Sequence, residues 1–316
     1  MSTPTKGSHL GRISVIAMHT FTQLVRMKVF YFLAVFAVIA IGSNFFDLPQ
    51  HNGPESAGVN VLRSIKSWSL GTMTLFSVVL SIVATSILLP KDVEDRTLYT
   101  ILAKPVPRLD YLAGKLLGVL ILIFVSLSLM DLLMTSVLQI RTGMVMEEQI
   151  AMAHRQVAAQ ELPPAAAATV LKETLDSVKA EVAIHGPSWS LQGAVLATFF
   201  RAAIMASLAL LISTFSTSTL FTTIISFLIY FIGHFQADAR DAFLKAGQAG
   251  EGTFSRLASL LMSLVLPDFQ NFNIIDAVIE GQTMPLFALG KLALVALYYA
   301  LFFTLASWYI FAEKEF

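Results

Sequence analysis

The chain has 316 residues, 56% hydrophobic and only 13% charged, with a mean hydropathy of +0.72. Soluble domains carry about 25% charged residues, so these long uncharged blocks belong to an integral membrane protein. The net charge of zero speaks against a nucleic-acid partner, and the absence of cysteine excludes a disulfide or a thiolate metal site.

Met1–Ser8 is small and polar and reads as a disordered tail. From Gly11 to Lys28, Ile13, Ile16, Ala17, Phe21, Leu24 and Val25 recur at helical spacing, with Arg12, His19, Gln23 and Arg26 off the stripe. An amphipathic helix lying in the membrane interface is expected there. This leader is too long and polar for a signal peptide, so the apolar run after it reads as a retained span.

The first span is expected at Val29–Phe46 and a turn-rich loop at Asp47–Ala57. Val59–Trp68 reads as a short surface helix and Leu70–Pro90 as the second span. The charged segment Lys91–Lys115 follows, then a third span at Leu116–Val137. Arg141–Pro187 is a polar insert. Met144–Glu161 and Pro163–Ile184 predict a helical hairpin, the second helix opened by prolines and striped by Leu171, Leu175, Val178 and Val182. Leu191–Ser213 and Leu220–Phe235 predict the fourth and fifth spans, with a tight turn in Ser213–Thr219 between them. A second polar stretch, Gln236–Gln282, holds an apolar helical stripe (Phe254, Leu257, Leu261, Leu264, Val265) ending at Pro267. The sixth span is expected at Leu286–Phe311, anchored at the interface by Trp308 and Tyr309.

The layout therefore divides into a tail and interfacial helix (1–28), spans one to three (29–137) around the loop 91–115, an external hairpin (138–190), and spans four to six (191–316) with an external segment at 236–285. Six spans place both termini on one side. Lys6, Arg12, Arg26 and Lys28 stand in the amino-terminal segment without an acid, while the hairpin and the last large loop are net acidic. The positive-inside rule then makes the termini and the 91–115 loop cytoplasmic. In that loop Val93, Thr97, Leu98, Ile101 and Leu102 share one helical face, and Pro105 and Pro107 end the helix. Such a helix, apolar on one side and charged on the other, is suited to docking on a cytoplasmic partner.

Glu94–Lys115, E-D-R-T-L-Y-T-I-L-A-K-P-V-P-R-L-D-Y-L-A-G-K, resembles the coupling segment in the membrane subunit of type-2 ABC transporters. The shared features fall on Glu94, Arg96, Thr97–Leu98, Ile101–Leu102, Lys104–Pro105–Val106, Arg108 and Gly114–Lys115. Arg96 replaces the family's usual glycine before the threonine. The interfacial helix, the six spans and Pro267–Asn273 (P-D-F-Q-N-F-N) are similar in layout, whereas the long external insert lies outside the family's minimal plan. The resemblance implies an all-α integral membrane protein with six transmembrane helices, an amino-terminal interfacial helix, a cytoplasmic coupling helix and an external helical hairpin. It implies a multi-pass permease of a prokaryotic cell (inner) membrane that works as an exporter. The coupling helix would sit in a groove of a separate ABC ATPase, Glu94, Arg96 and Lys104 facing that subunit, Leu98 and Ile101 filling the groove, with Thr97 and Pro105 in the same motif. One six-span subunit is half a permease, so a second copy or a paralogue is expected. Gly114–Lys115–Leu116 lacks the leading glycine and the Ser/Thr of a P-loop. The chain is thus expected to be no enzyme and to hold no cofactor itself, ATP and Mg²⁺ being bound by the partner.

Two charges fall inside the spans, Asp131 and Arg201. Intramembrane charges are functional candidates, and depths of about 9 and 15 Å from the outer ends of their helices make an ion pair feasible. The six histidines show no H-x-x-x-H pairing, and no metal site is expected. The competing reading is an ion-coupled secondary transporter or channel. Such proteins place several acids or glycine-broken helices at the midplane, where this chain offers Asp131 alone.

Overall fold

The computed structural model describes residues 9–43, 57–94, 106–160, 163–216, 218–236, 238, 241, 257 and 265–313. These residues are helical throughout their ordered elements, with no strand among them. In chain order the helices are α1 (His9–Val25), α2 (Lys28–Gly42), α3 (Ala57–Glu94), α4 (Arg108–Ala159), α5 (Pro164–His185), α6 (Trp189–Phe215) and α7 (Thr219–His234). A 3₁₀ turn (Gln270–Phe272), the short α8 (Ile275–Ile279) and α9 (Leu286–Glu313) complete the series.

Among the described residues, four helical stretches are long and apolar enough to cross a membrane: Gly58–Asp92, Arg108–Ala159, Pro164–Phe215 and Leu286–Glu313. This is the architecture of an all-α membrane protein. The other two expected spans are shorter. α2 has 15 residues and α7 has 16, about 22 and 24 Å at 1.5 Å per residue, against a hydrocarbon core of about 30 Å.

Two expected boundaries disappear. The surface helix 59–68 and the second span form one helix of 38 residues, and the third span runs on into the hairpin as one helix of 52. Neither Gly71 nor Gly143 stops its helix, because a lone glycine costs only about 1 kcal/mol. α4 is therefore about 78 Å long and its distal half is the first arm of the hairpin. α5 is the second arm, and it opens on Pro164 as the sequence predicts. Its stripe is used: Val182 is buried, and Val178 lines a cavity with Gln149, Met152 and Ala153 of α4.

α6 is the central helix. In its most apolar stretch 78% of the residues are buried, against 17% in α9. Its small residues Ala194, Ala197, Ala202, Ala206 and Ala209 are all buried, and small residues let neighbouring backbones approach closely. One apolar core joins α1–α4 to α6, and a second joins α6 to α9 and to the turn containing Phe269 and Phe272.

α1 is not left to the lipid. Arg12 meets Asp110, an added Cβ on Gly114 would lie 2.7 Å from Ile16, and one on Gly118 would lie 2.7 Å from the Ala17 carbonyl and from Thr20. Leu24 and Leu122 then line a common small cavity. The contacts advance together on both helices, so α1 runs alongside the first turns of α4 in the same direction. Part of the α1 stripe packs on the small-residue groove Gly114-x-x-x-Gly118.

Candidate functional site

The residues expected to couple to a partner, Arg96, Thr97, Leu98, Ile101, Lys104 and Pro105, lie outside the described residues. Glu94 ends α3, and its side chain also lies outside them. Both ends of that segment are described, and they converge on a polar joint.

α3 brings in Asp92, in its last turn, and α4 brings in Tyr111 and Lys115, four residues apart and hence on one face. Lys115 Nζ sits 2.6 Å from Asp92 Oδ2, both side chains buried. The Tyr111 hydroxyl donates to the same oxygen, and the Lys115 ammonium lies 5.7 Å from the Tyr111 ring centroid. A buried charge is tolerated when it is paired and hydrogen-bonded, and here each of the three groups answers another. The joint welds the entry of the charged segment to its exit.

Two further helices tie into it. Asp110, in the first turn of α4, accepts from Arg12 Nε at 3.0 Å and lies 3.0 Å from His9 Nδ1. A carboxylate there also meets the positive end of the α4 dipole. Arg108 Nη1 donates to the carbonyls of Phe311 and Ala312, at 2.7 and 2.5 Å. A cation capping the last carbonyls of a helix is favourable on the same grounds. The Phe311 ring stacks on Tyr111, centroids 6.0 Å apart. The start of α1, the end of α3, the start of α4 and the end of α9 thus share one end of the bundle.

The pairing of Asp131 with Arg201 is not formed. Asp131 Oδ1 accepts from Gln192 of α6 at 3.3 Å and from Thr135 at 3.5 Å. Arg201 is buried, donates to the Phe269 carbonyl at 3.4 Å and also interacts with Tyr230. Each charge is answered by dipoles nearer than the other charge.

The partner of Arg201 belongs to the 236–285 stretch, part of which packs into the protein: Phe269 and Phe272 are fully buried. The Phe269 amide donates to the Gly233 carbonyl, and Gln270 Nε2 donates to the His234 carbonyl at 2.6 Å. The Tyr299 hydroxyl donates to the Leu266 carbonyl from α9. Gly233 is required here, because a Cβ would fall 2.5 Å from the Phe269 ring and 2.9 Å from the Pro267 carbonyl. The segment is a plug that carries the end of α7 to the middle of α6.

Sequence reasoning singled out neither Asp92 nor Tyr111, nor the partners of Arg108 and Asp110. The available signal was the i, i+4 spacing of Tyr111 and Lys115 beside an acid at the end of the preceding apolar run. Comparison with protein-family models gives no match for this chain, and comparison with curated proteins gives none.

Proposed function

We propose that this chain is the membrane-spanning permease subunit of an ATP-driven ABC exporter of the type-2 family. The segment 91–115 would be its cytoplasmic coupling element, seated on a separate ATPase that binds ATP and Mg²⁺. The observation that supports this reading best is the Asp92–Tyr111–Lys115 joint. A segment that receives a push from a partner must not absorb it by flexing at its base, and the joint fixes both ends of the segment to one another. Through Asp110 and Arg108 the same base is tied to α1 and α9, so displacement of the segment would carry the outermost helices with it. Glu94, Arg96 and Lys104 would face the ATPase and Leu98 and Ile101 would fill its groove. A second copy or a paralogue would complete the pathway, in a prokaryotic cell membrane with the joint on the cytoplasmic side.

A mild-detergent pull-down of the tagged chain from native membranes, read by mass spectrometry, tests this. A stoichiometric ABC ATPase that is lost when Glu94, Arg96 and Lys104 are replaced together is the expected result. Recovery of the chain without any ATPase, under conditions where a known ABC complex survives, would overturn it.

A further inference from the structure

The far end of α3 carries a second group of cations. Lys66 is fully buried and its Nζ has no hydrogen-bond partner. Ser69, three residues on and also fully buried, leaves its hydroxyl unpartnered. Arg63, one turn before Lys66, is exposed, and its Nη2 donates to His185 Nε2 at 3.2 Å. His185 closes α5, is buried, and its Nδ1 makes no close hydrogen bond. Arg63 and Lys66 both act on the His185 ring electrostatically, with Glu181 and the Ile279 carbonyl as weaker opposing influences.

Two helices therefore converge basic groups on one turn, and among the described residues no salt bridge answers Lys66. An unpaired ammonium out of water costs several kcal/mol, and three oxygens on one ligand would relieve this arrangement. Position narrows the ligand further. Between Asp92 and Lys66, α3 rises about 39 Å, close to the full thickness of a bilayer with its headgroups, about 40–45 Å. With the Asp92–Lys115 joint at one membrane face, Lys66 lies at the headgroup level of the other.

We propose that Lys66, Arg63 and His185, with Ser69 beside them, bind a phosphate group of the kind borne by a lipid headgroup or by free phosphate. Exposed Arg63 receives it, its planar fork matching two phosphate oxygens, and Lys66 neutralises it from within.

The test is the unfolding temperature of the purified full-length chain, followed by tryptophan fluorescence. One arm adds sodium phosphate against sodium chloride of equal ionic strength. The other adds mixed micelles of dioleoyl phosphatidic acid against dioleoylglycerol. A ligand that binds only the folded state raises the unfolding temperature with its concentration. A rise in both arms, or with phosphate alone, supports the site and makes free phosphate a sufficient ligand. A rise with phosphatidic acid alone supports it and makes the ligand a lipid headgroup. In either case Lys66→Met and Arg63→Gln are each expected to weaken binding about tenfold or more, since charge-assisted hydrogen bonds are the strong ones. Arg63 is at the surface, so its replacement leaves folding intact should Lys66→Met fail. No rise in either arm, or a rise that both variants keep, would overturn the proposal.

Discussion

Lys115 and Lys66 lie on one antiparallel helix pair, near its two ends, and both are buried to within 2% of full enclosure. Lys115 has a carboxylate at 2.6 Å and a tyrosine hydroxyl on that same carboxylate. Lys66 has neither among the described residues. Burial is thus the same and partnership is opposite. The first arrangement is closed, its charges all answered by the chain itself, which suits a joint that must stay rigid. The second is open, and it suits a site that waits for charge from outside. The two ends of one helix pair differ in what they require from the rest of the system.

The largest expected effect comes from making the two lysines alike. Lys115→Met leaves Asp92 buried without its cation, and breaking a buried pair by removing one partner costs about 3–5 kcal/mol. Lys66→Met removes an unpaired charge and inserts an apolar chain of similar length, which is neutral or stabilising in phosphate-free detergent. Unfolding temperatures of the two variants, measured side by side, are expected to move far apart. Adding Asp92→Asn to Lys115→Met should recover part of the loss, because the uncompensated carboxylate disappears. Equal losses from Lys115→Met and Lys66→Met would mean that Lys66 is answered after all, and the contrast would fail.

A smaller effect tests how tightly the closed end is packed. Gly118→Ala places a methyl 2.7 Å from the Ala17 carbonyl, a backbone atom that cannot turn aside. α1 must shift, at a cost of about 1–3 kcal/mol. Gly71→Ala, whose Cβ meets nothing within 4 Å, is the matched control and should stabilise the helix slightly. Loss of the pull-down partner in Gly118→Ala but not in Gly71→Ala would tie the seating of α1 to the charged segment.

What the sequence made legible follows from its range. Apolar run lengths located α3, α4, α6 and α9, and the Pro163–Pro164 pair located the start of α5, because these are properties of consecutive residues. The stripe of α1 was visible, but its destination was not: Gly114 and Gly118 lie about a hundred residues away and read locally as a span opening. Separation in sequence also hid Arg12–Asp110, 98 residues apart, and Arg108–Phe311, 203 apart. Arg201 stood out as a charge in a span, yet its acceptor is a backbone carbonyl, which carries no mark in the sequence. Asp131 satisfied itself on Gln192, a neutral residue that a search for opposite charges passes over. The continuity of α3 and α4 was missed for a plainer reason, since hydropathy changes at a membrane surface while helical geometry need not.

The smallest effect separates the core of the joint from its rim. Arg12→Gln removes the cation that bonds Asp110, but the Arg12 side chain keeps 25% of its surface exposed. Water can therefore replace much of what is lost, and partly exposed pairs contribute about 0.2–1 kcal/mol. Asp110 also keeps the favourable end of the α4 dipole and the His9 ring at 3.0 Å. The unfolding temperature should fall by a small fraction of the Lys115→Met shift, and the fall should shrink in high salt, which screens exposed pairs more than buried ones. A loss as large as that of Lys115→Met and insensitive to salt would place Arg12 inside the closed network. α1 would then be part of the joint itself, and the start of the chain would move with the charged segment as one body.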